Sequence, residues 1–147
     1  MSVVIRSASL NDVPALLTIE RRAPTAAHWT PEQYHNLVGK GVVLVAELQG
    51  QLCGFLCAKV VAGEWEVENV VVADEFLRRG IGNELVRELV ERARNGAASA
   101  VLLEVREANR AARCFYEKCS FREVGRRRAY YANPVEDSIL YALRFES

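Results

Sequence analysis

The run from Asn69 to Asn83 restricts the architecture of this chain more than any other stretch. It carries an apolar strand ending in Val70-Val71-Val72 through Ala73-Asp74-Glu75-Phe76-Leu77 to Arg78-Arg79-Gly80-Ile81-Gly82-Asn83, and from there into a helix. Without a Cβ, Gly80 and Gly82 allow a close backbone approach to an anion, and the first N–H groups of the following helix lack intrahelical acceptors. Arg78 and Arg79 add positive charge at the same place. Such a turn can hold a phosphate, although glycine before a helix also serves packing alone. The spacing fits neither a Walker loop, Gly-x-x-x-x-Gly-Lys-Ser/Thr, nor a dinucleotide fingerprint, Gly-x-Gly-x-x-Gly.

Strands and helices are expected in mixed order around this turn. Val3 to Ser7 reads as a short strand, followed after Ser9 by a helix to about Arg22 with Val13, Leu16 and Leu17 on its apolar face. Thr30-Pro31-Glu32-Gln33 opens a second helix, with Thr30 as cap, Pro31 in the first turn and Gln33 reaching back; Gly39 and Gly41 end it. Val42 to Leu48 and Leu52 to Val61 read as a hairpin joined by Gln49-Gly50-Gln51, and Glu64 to Val72 as a third strand. Gly80 to Arg94 is an amphipathic helix, with Ile81, Leu85, Val86, Leu89, Val90 and Ala93 on one side and Glu88–Arg92 an i,i+4 pair on the other. A buried strand over Ala100 to Val105, a helix over about Asn109 to Lys118, and strands near Phe121 to Tyr131 and Ser138 to Arg144 complete the order β-α-α-β-β-β-α-β-α-β-β. With no internal repeat or linker, one mixed α/β domain over residues 1–147 is the simplest account.

Composition narrows the function classes. Nineteen basic and nineteen acidic residues cancel, giving no general reason to expect nucleic acid or an anionic membrane as a partner, although Arg122 and Arg126-Arg127-Arg128 make one stretch basic. No apolar run approaches the ~18 residues of a membrane span, and the N-terminus lacks a signal-peptide core, so a cytoplasmic protein is expected. Cys53, Cys57, Cys114 and Cys119 form no Cys-x-x-Cys pair and His28 and His35 stand alone, so reduced cysteines and no metal site are expected.

Leu77-Arg78-Arg79-Gly80-Ile81-Gly82 resembles the pyrophosphate loop of the GNAT N-acetyltransferases, usually Gln/Arg-x-x-Gly-x-Gly/Ala, with Leu77 at the first position and Arg78 or Arg79 left to supply the side-chain contact. Leu102 to Phe121 is similar to the second signature of that superfamily, a strand leading to an Asn and then to a Phe/Leu-Tyr-Glu-x-x-Gly-Phe helix end, with Ser120 in place of the glycine. Ile19-Glu20-Arg21-Arg22, Trp29-Thr30, Leu103-Glu104-Val105-Arg106, and Arg127-Arg128-Ala129-Tyr130-Tyr131 followed by Glu136-Asp137 resemble the ribosomal-protein alanine N-acetyltransferases (RimI type) nearly end to end. The usual Pro-Trp of that group is His28-Trp29 here, in the loop around residues 23–29 that helps form the peptide site in family members.

The resemblance implies a single GNAT-like domain of the α/β (α+β) class, with a mixed sheet of about seven strands and helices on both faces. It also implies acetyl-CoA as cosubstrate, pyrophosphate at Arg78, Arg79, Gly80, Ile81, Gly82 and Asn83, and a pantetheine arm paired to the backbone of Val70, Val71 and Val72, with Asn109 as a further cofactor contact. Trp29, Tyr130 and Tyr131 fall at the peptide site. The implied activity is acetylation of a protein N-terminal α-amine, with the N-terminal alanine of a small-subunit ribosomal protein as the expected substrate. A small-amine acetyltransferase and an acyl-CoA-binding module without turnover stand as alternatives, and the sequence gives no oligomeric state.

Acetyl transfer to an amine requires a neutral amine, stabilisation of the tetrahedral oxyanion and a proton for the departing thiolate. Tyr116 is suited to the last role, since an unperturbed phenol with a pKa of about 10 stays protonated near neutrality. Asn109 and Tyr116, seven residues apart, are expected on one helix face about 10 Å long. Glu104 interrupts an apolar strand and shares a face with Leu102 and Arg106, a costly place for a carboxylate unless it is paired or functional. The resemblance gives Glu104 the proton-acceptor role; Glu68, on a face with Glu66, is the rival. An α-amine with a pKa near 8 deprotonates more easily than a lysine amine near 10.4 by about 3 kcal/mol, so a modest base is enough.

Overall fold

The computed structural model describes residues 2–23 and 29–145, and in it the seven strand segments join one sheet. The elements are β1 (Val4–Ser7), α1 (Val13–Arg22), α2 (Pro31–Lys40), β2 (Val42–Leu48), β3 (Gln51–Val61), β4 (Glu64–Val72), α3 (Ile81–Asn95), β5 (Ala100–Arg106), α4 (Arg110–Lys118), β6 (Arg122–Tyr131) and β7 (Glu136–Arg144). Short 3-10 turns, Leu10–Asp12 and Asp74–Phe76, lead towards α1 and α3. The strand order is β1-β2-β3-β4-β5-β7-β6, and only β4 and β5 are parallel. No helix among the described residues is long and apolar enough to cross a membrane.

Periodicity explains how the helices find their faces. On α3 the stripe Ile81, Leu85, Val86, Leu89, Val90 and Ala93 is buried, packed in one cluster with Leu44, Leu56, Val101, Leu103 and Val105. Residues one position out of phase along the strands, Val43, Val45, Phe55 and Cys57, point to the other face and pack with Val13 and Leu16 of α1 and Tyr34 of α2. Burying each large aliphatic side chain contributes about 1.5–3 kcal/mol. Thr30 and Gln33 close the expected capping box, with Gln33 N–H donating to Thr30 Oγ1 at 3.2 Å and Thr30 N–H to Gln33 Oε1 at 2.7 Å.

Three local differences from the sequence reading have physical causes. The β2–β3 turn has two residues rather than three: Gln49 and Gly50 both take positive φ, 52° and 79°, and Leu48 pairs with Gln51, which matches the twist of the flanking strands. Asn109 is the N-cap of α4 rather than a residue on its face, its side chain accepting from Ala112 N–H at 3.2 Å. Strand β7 starts at Glu136 instead of Ser138, because Glu136 pairs with Tyr131 across the β6–β7 hairpin.

One feature of the sheet positions the site. Pairing between β4 and β5 covers Glu64–Ala100, Trp65–Val101 and Glu66–Leu102 and then stops, although both strands continue. A bulge helps to drive the divergence: Ala58 pairs with Val67 but Cys57 with Asn69, leaving Glu68 as the extra residue and bending β4. The C-terminal halves of two parallel strands therefore face each other across a gap. Helices α3 and α4 follow those two strand ends.

Candidate active site

The α3 end of the gap presents an uncapped helix start with two arginines beside it. Gly80, the N-cap, sits at φ 76° with no side-chain cap, and the first helical bond is Glu84 N–H to Gly80 C=O at 3.0 Å. The N–H groups of Ile81, Gly82 and Asn83 thus have no intrahelical partner. Arg78 also takes the left-handed conformation, φ 65°, while Arg79 lays its guanidinium over Phe76, 5.5 Å from the ring centroid. Gly82 lies in helical backbone, and a Cβ there meets only Val72 Cγ2 at 3.7 Å and Val70 Cγ1 at 3.9 Å, ordinary contacts. Neither backbone conformation nor packing requires glycine at 82, and its absent Cβ leaves space between the helix start and β4.

Along β4 the side chains of Val70 and Val72 turn towards α3 and that of Val71 is buried on the α1–α2 side. Beyond Glu66 the β4 edge facing β5 has no strand partner, so its backbone is available to an extended ligand. Just before these valines, Asn69 Nδ2 is buried without a hydrogen-bond partner. A buried unsatisfied donor costs about 1–3 kcal/mol and fits a position that meets a polar ligand. These residues fit an elongated ligand with a phosphate at one end and an arm along β4.

A cleft of about 530 Å³ opens beside the gap, its lining including Glu66, Glu68, Glu104, Arg127, Tyr130 and Tyr131. Alternation puts Leu103 and Val105 of β5 in the core beneath α3 and turns Glu104 the other way. Ser138, fully buried on β7, donates its hydroxyl to Glu104 Oε2 at 2.8 Å, and Arg127 Nε lies 3.3 Å from Glu104 Oε1. Arg106, on the same strand face, pairs with Glu136 rather than with Glu104, at 3.3 Å. Glu68 and Glu66 both face Lys59, at 3.2 and 3.6 Å, so they share a face as expected. Tyr130 and Tyr131 stand edge to face, 5.1 Å between centroids, each beside an arginine: Arg127 at 5.5 Å and Arg106 at 4.2 Å.

Tyr116 approaches from the opposite face. Its ring packs in the α3-side core near Phe115, Phe121 and Tyr141, at 5.6, 5.8 and 6.2 Å. Burial, with a smaller contribution from Cys119, pushes its phenol above the ordinary value, which keeps the proton on at neutral pH. Tyr141 rather than Tyr116 is at the cleft wall, and among the described residues the Tyr116 hydroxyl makes no hydrogen bond. Ser120 takes φ 74° at the end of α4, the left-handed turn where the resembled pattern has glycine.

Trp29 closes on α1: its backbone N–H donates to Glu20 Oε1 at 2.6 Å and its ring lies 5.4 Å from that of Tyr34, whose hydroxyl also donates to Glu20, at 2.7 Å. Most of the 23–29 loop, His28 included, is outside the described residues. Within the basic run, Arg126 binds Glu107 and Asp137 and Arg127 meets Glu104. Among the described residues no group of three or more His, Cys, Asp or Glu side chains is arranged to hold a metal ion. Arg127, Ser138 and Glu20 carry contacts that sequence reasoning did not assign; a hydroxyl in the apolar run Ser138-Ile139-Leu140 was the available signal for one of them.

Splayed parallel strands with an anion-ready helix start on one and a carboxylate on the other define an acyltransferase of the GNAT type. The acetyltransferase (GNAT) family model matches residues 11–121, and the chain belongs to that family. Among relatives, it is 33% identical over 138 residues to the [ribosomal protein bS18]-alanine N-acetyltransferase of Salmonella typhimurium, covering 92% of this chain and 93% of that protein. The crystal structure of the ribosomal-protein-S18-alanine N-acetyltransferase from Escherichia coli superposes with a TM-score of 0.90 at 29% identity, over 99% of this chain and 96% of that one. Arabidopsis thaliana NAA60, solved in complex with acetyl-CoA, shares the fold at 23% identity, with a TM-score of 0.86 over 98% and 100% of the two chains.

Proposed function

We propose that this acetyltransferase uses acetyl-CoA to acetylate the α-amine of a protein N-terminus, with the N-terminal alanine of a small-subunit ribosomal protein as its substrate. The observation that carries the reading is the cleft in which Glu104, held by Ser138 and Arg127, shares a wall with Tyr130 and Tyr131 on the side of the gap away from α3. The named activity of relatives matched along almost the whole chain supports the choice of amine.

Acetyl-CoA, when bound, supplies the activated acetyl thioester. The N–H groups opening α3, with Arg78 and Arg79 beside them, hold its pyrophosphate, and the free edge of Val70 to Val72 receives the arm. The Asn109 carboxamide, with its oxygen already on Ala112, keeps its N–H groups for a second contact. Glu104 accepts the amine proton, directly or through a water, and Tyr116 returns a proton to the departing thiolate. Tyr130 and Tyr131 bond to the extended peptide backbone.

Incubation with acetyl-CoA and a panel of N-terminal peptides, lysine peptides and polyamines tests the reading. Acetylation confined to α-amines, strongest for N-terminal alanine, is the expected result. Turnover of polyamines alone would move the enzyme to small-amine substrates, and binding of acetyl-CoA without turnover of any amine would make it a binding module.

A further inference from the structure

The wall of the cleft is held by bonds that neither the phosphate site nor the proton transfers use. Residues Arg128 to Tyr130 interrupt the β6–β7 ladder: Arg127 pairs with Ser138 and Tyr131 with Glu136, so β6 spends more residues than β7 between these rungs, and Ala129 takes φ 51°. Irregular strands of this kind re-aim side chains but lose ladder support. Here the support comes from β5 and the turn after it. Glu136 Oε2 accepts from Ala108 N–H at 2.6 Å, and its Oε1 lies 3.3 Å from Arg106 Nη1. The Glu136 side chain is only 15% exposed, which shields the pair from screening by salt. Arg106 in turn covers the Tyr131 ring at 4.2 Å and sits two residues from Glu104 on the same strand face. Asp137 adds a second tie, its carbonyl accepting from Glu107 N–H at 3.1 Å and its carboxylate from Ala129 N–H at 2.9 Å.

We propose that Glu136 is a positioning residue for the peptide: through Arg106 it fixes Tyr131 against the strand carrying Glu104, so that groove wall and proton acceptor keep one spacing. The inference rests on the proposed peptide-acetyltransferase reading. The phosphate site at α3 takes no part in this network, which comes near the proposed cofactor contacts only at Ala108, beside Asn109, whose own side chain is held separately by Ala112 N–H, so the larger effect falls on the peptide.

Steady-state kinetics with an N-terminal alanine peptide and acetyl-CoA test it. Glu136→Ala is expected to raise the peptide KM about tenfold and to leave the acetyl-CoA KM within about twofold. Glu136→Gln, which keeps an oxygen for Ala108 N–H, recovers part of the loss. Arg106→Lys, which keeps the charge but removes the planar group from Tyr131, raises the peptide KM as well and carries the comparison if Glu136→Ala fails to fold in a thermal scan. In Glu136→Ala/Tyr131→Leu the effect on peptide KM should not exceed that of the worse single variant, since both break one chain of contacts. An unchanged peptide KM, an equal rise in the acetyl-CoA KM, or additive effects would overturn the proposal. Hydrogen exchange separates it from the reading beneath it. If the parent acetylates no peptide, that reading fails, while faster exchange at Ala108 and residues 129–131 in Glu136→Ala still upholds the coupling and unchanged exchange overturns it.

Discussion

Glu104 and Glu68 differ in their partners. Glu104 receives a hydroxyl from a fully buried serine and meets Arg127 at the cleft wall, whereas Glu68 sits on a bulge and shares Lys59 with Glu66. A carboxylate fixed by a hydrogen bond from a buried hydroxyl is oriented for proton transfer; one that shares an exposed lysine with a second carboxylate is less so. Glu104→Gln should therefore depress turnover by about 10²-fold or more with acetyl-CoA binding intact, and Glu68→Gln should do much less. Initial rates across pH, with binding checked by calorimetry in each variant, decide between them, and loss in Glu68→Gln alone would transfer the role. Among the described residues the Tyr116 hydroxyl has no hydrogen bond to lose, so Tyr116→Phe should leave the core packing and cofactor affinity in place while lowering turnover by about 10²-fold. Turnover unchanged under conditions where chemistry limits the rate would remove Tyr116 from the mechanism.

Among the elements, α3 has the most direct consequence for binding. Its start leaves room for a Cβ at Gly82 against Val70 and Val72, so Gly82→Val should fold and yet obstruct the passage of a ligand between helix and strand. Calorimetry that found parental affinity for acetyl-CoA in this variant would separate the cradle from the cofactor. This helix was also the most legible part of the sequence: each of its six apolar positions is buried, because a 3.6-residue stripe has only one face to give to a sheet. The glycine-bearing turn and the alternation that sets Glu104 on a face with Leu102 and Arg106 are local facts and were readable in the same way, whereas the free edge of β4 depends on where its pairing with β5 stops. What holds Glu104 was not. Ser138 is 34 residues away and Arg127 reaches it from the outermost strand, and the order β5-β7-β6 that brings them together follows from long-range pairing. The same holds for Asn109, whose capping bond depends on where α4 begins.

At the scale of the whole molecule, β1 and α1 are tied to the sheet by Arg6, which bonds Asp12 at 2.8 Å and Glu47 at 2.7 Å. The hydrogen bond from Arg6, reinforced by Ser9 N–H and opposed by burial, lowers the Asp12 carboxyl from 3.8 to about 2. A folded-state value below the unfolded one contributes stability that is fully present above the unfolded value and is lost as pH falls through the folded one. Thermal midpoints of the parent and Asp12→Asn should accordingly differ at neutral pH and converge as pH falls from 3.8 towards about 2. A gap that stayed constant would show that the Arg6–Asp12 pair adds nothing to folding. The early end of pairing between β4 and β5 has a mechanical meaning as well. Four strands on one side and three on the other are joined in the sheet by only three residue pairs, so the strand ladder is shortest at that seam. On the proposed reading, an arm seated along β4 would lie where that ladder is absent, in the place of the missing pairs.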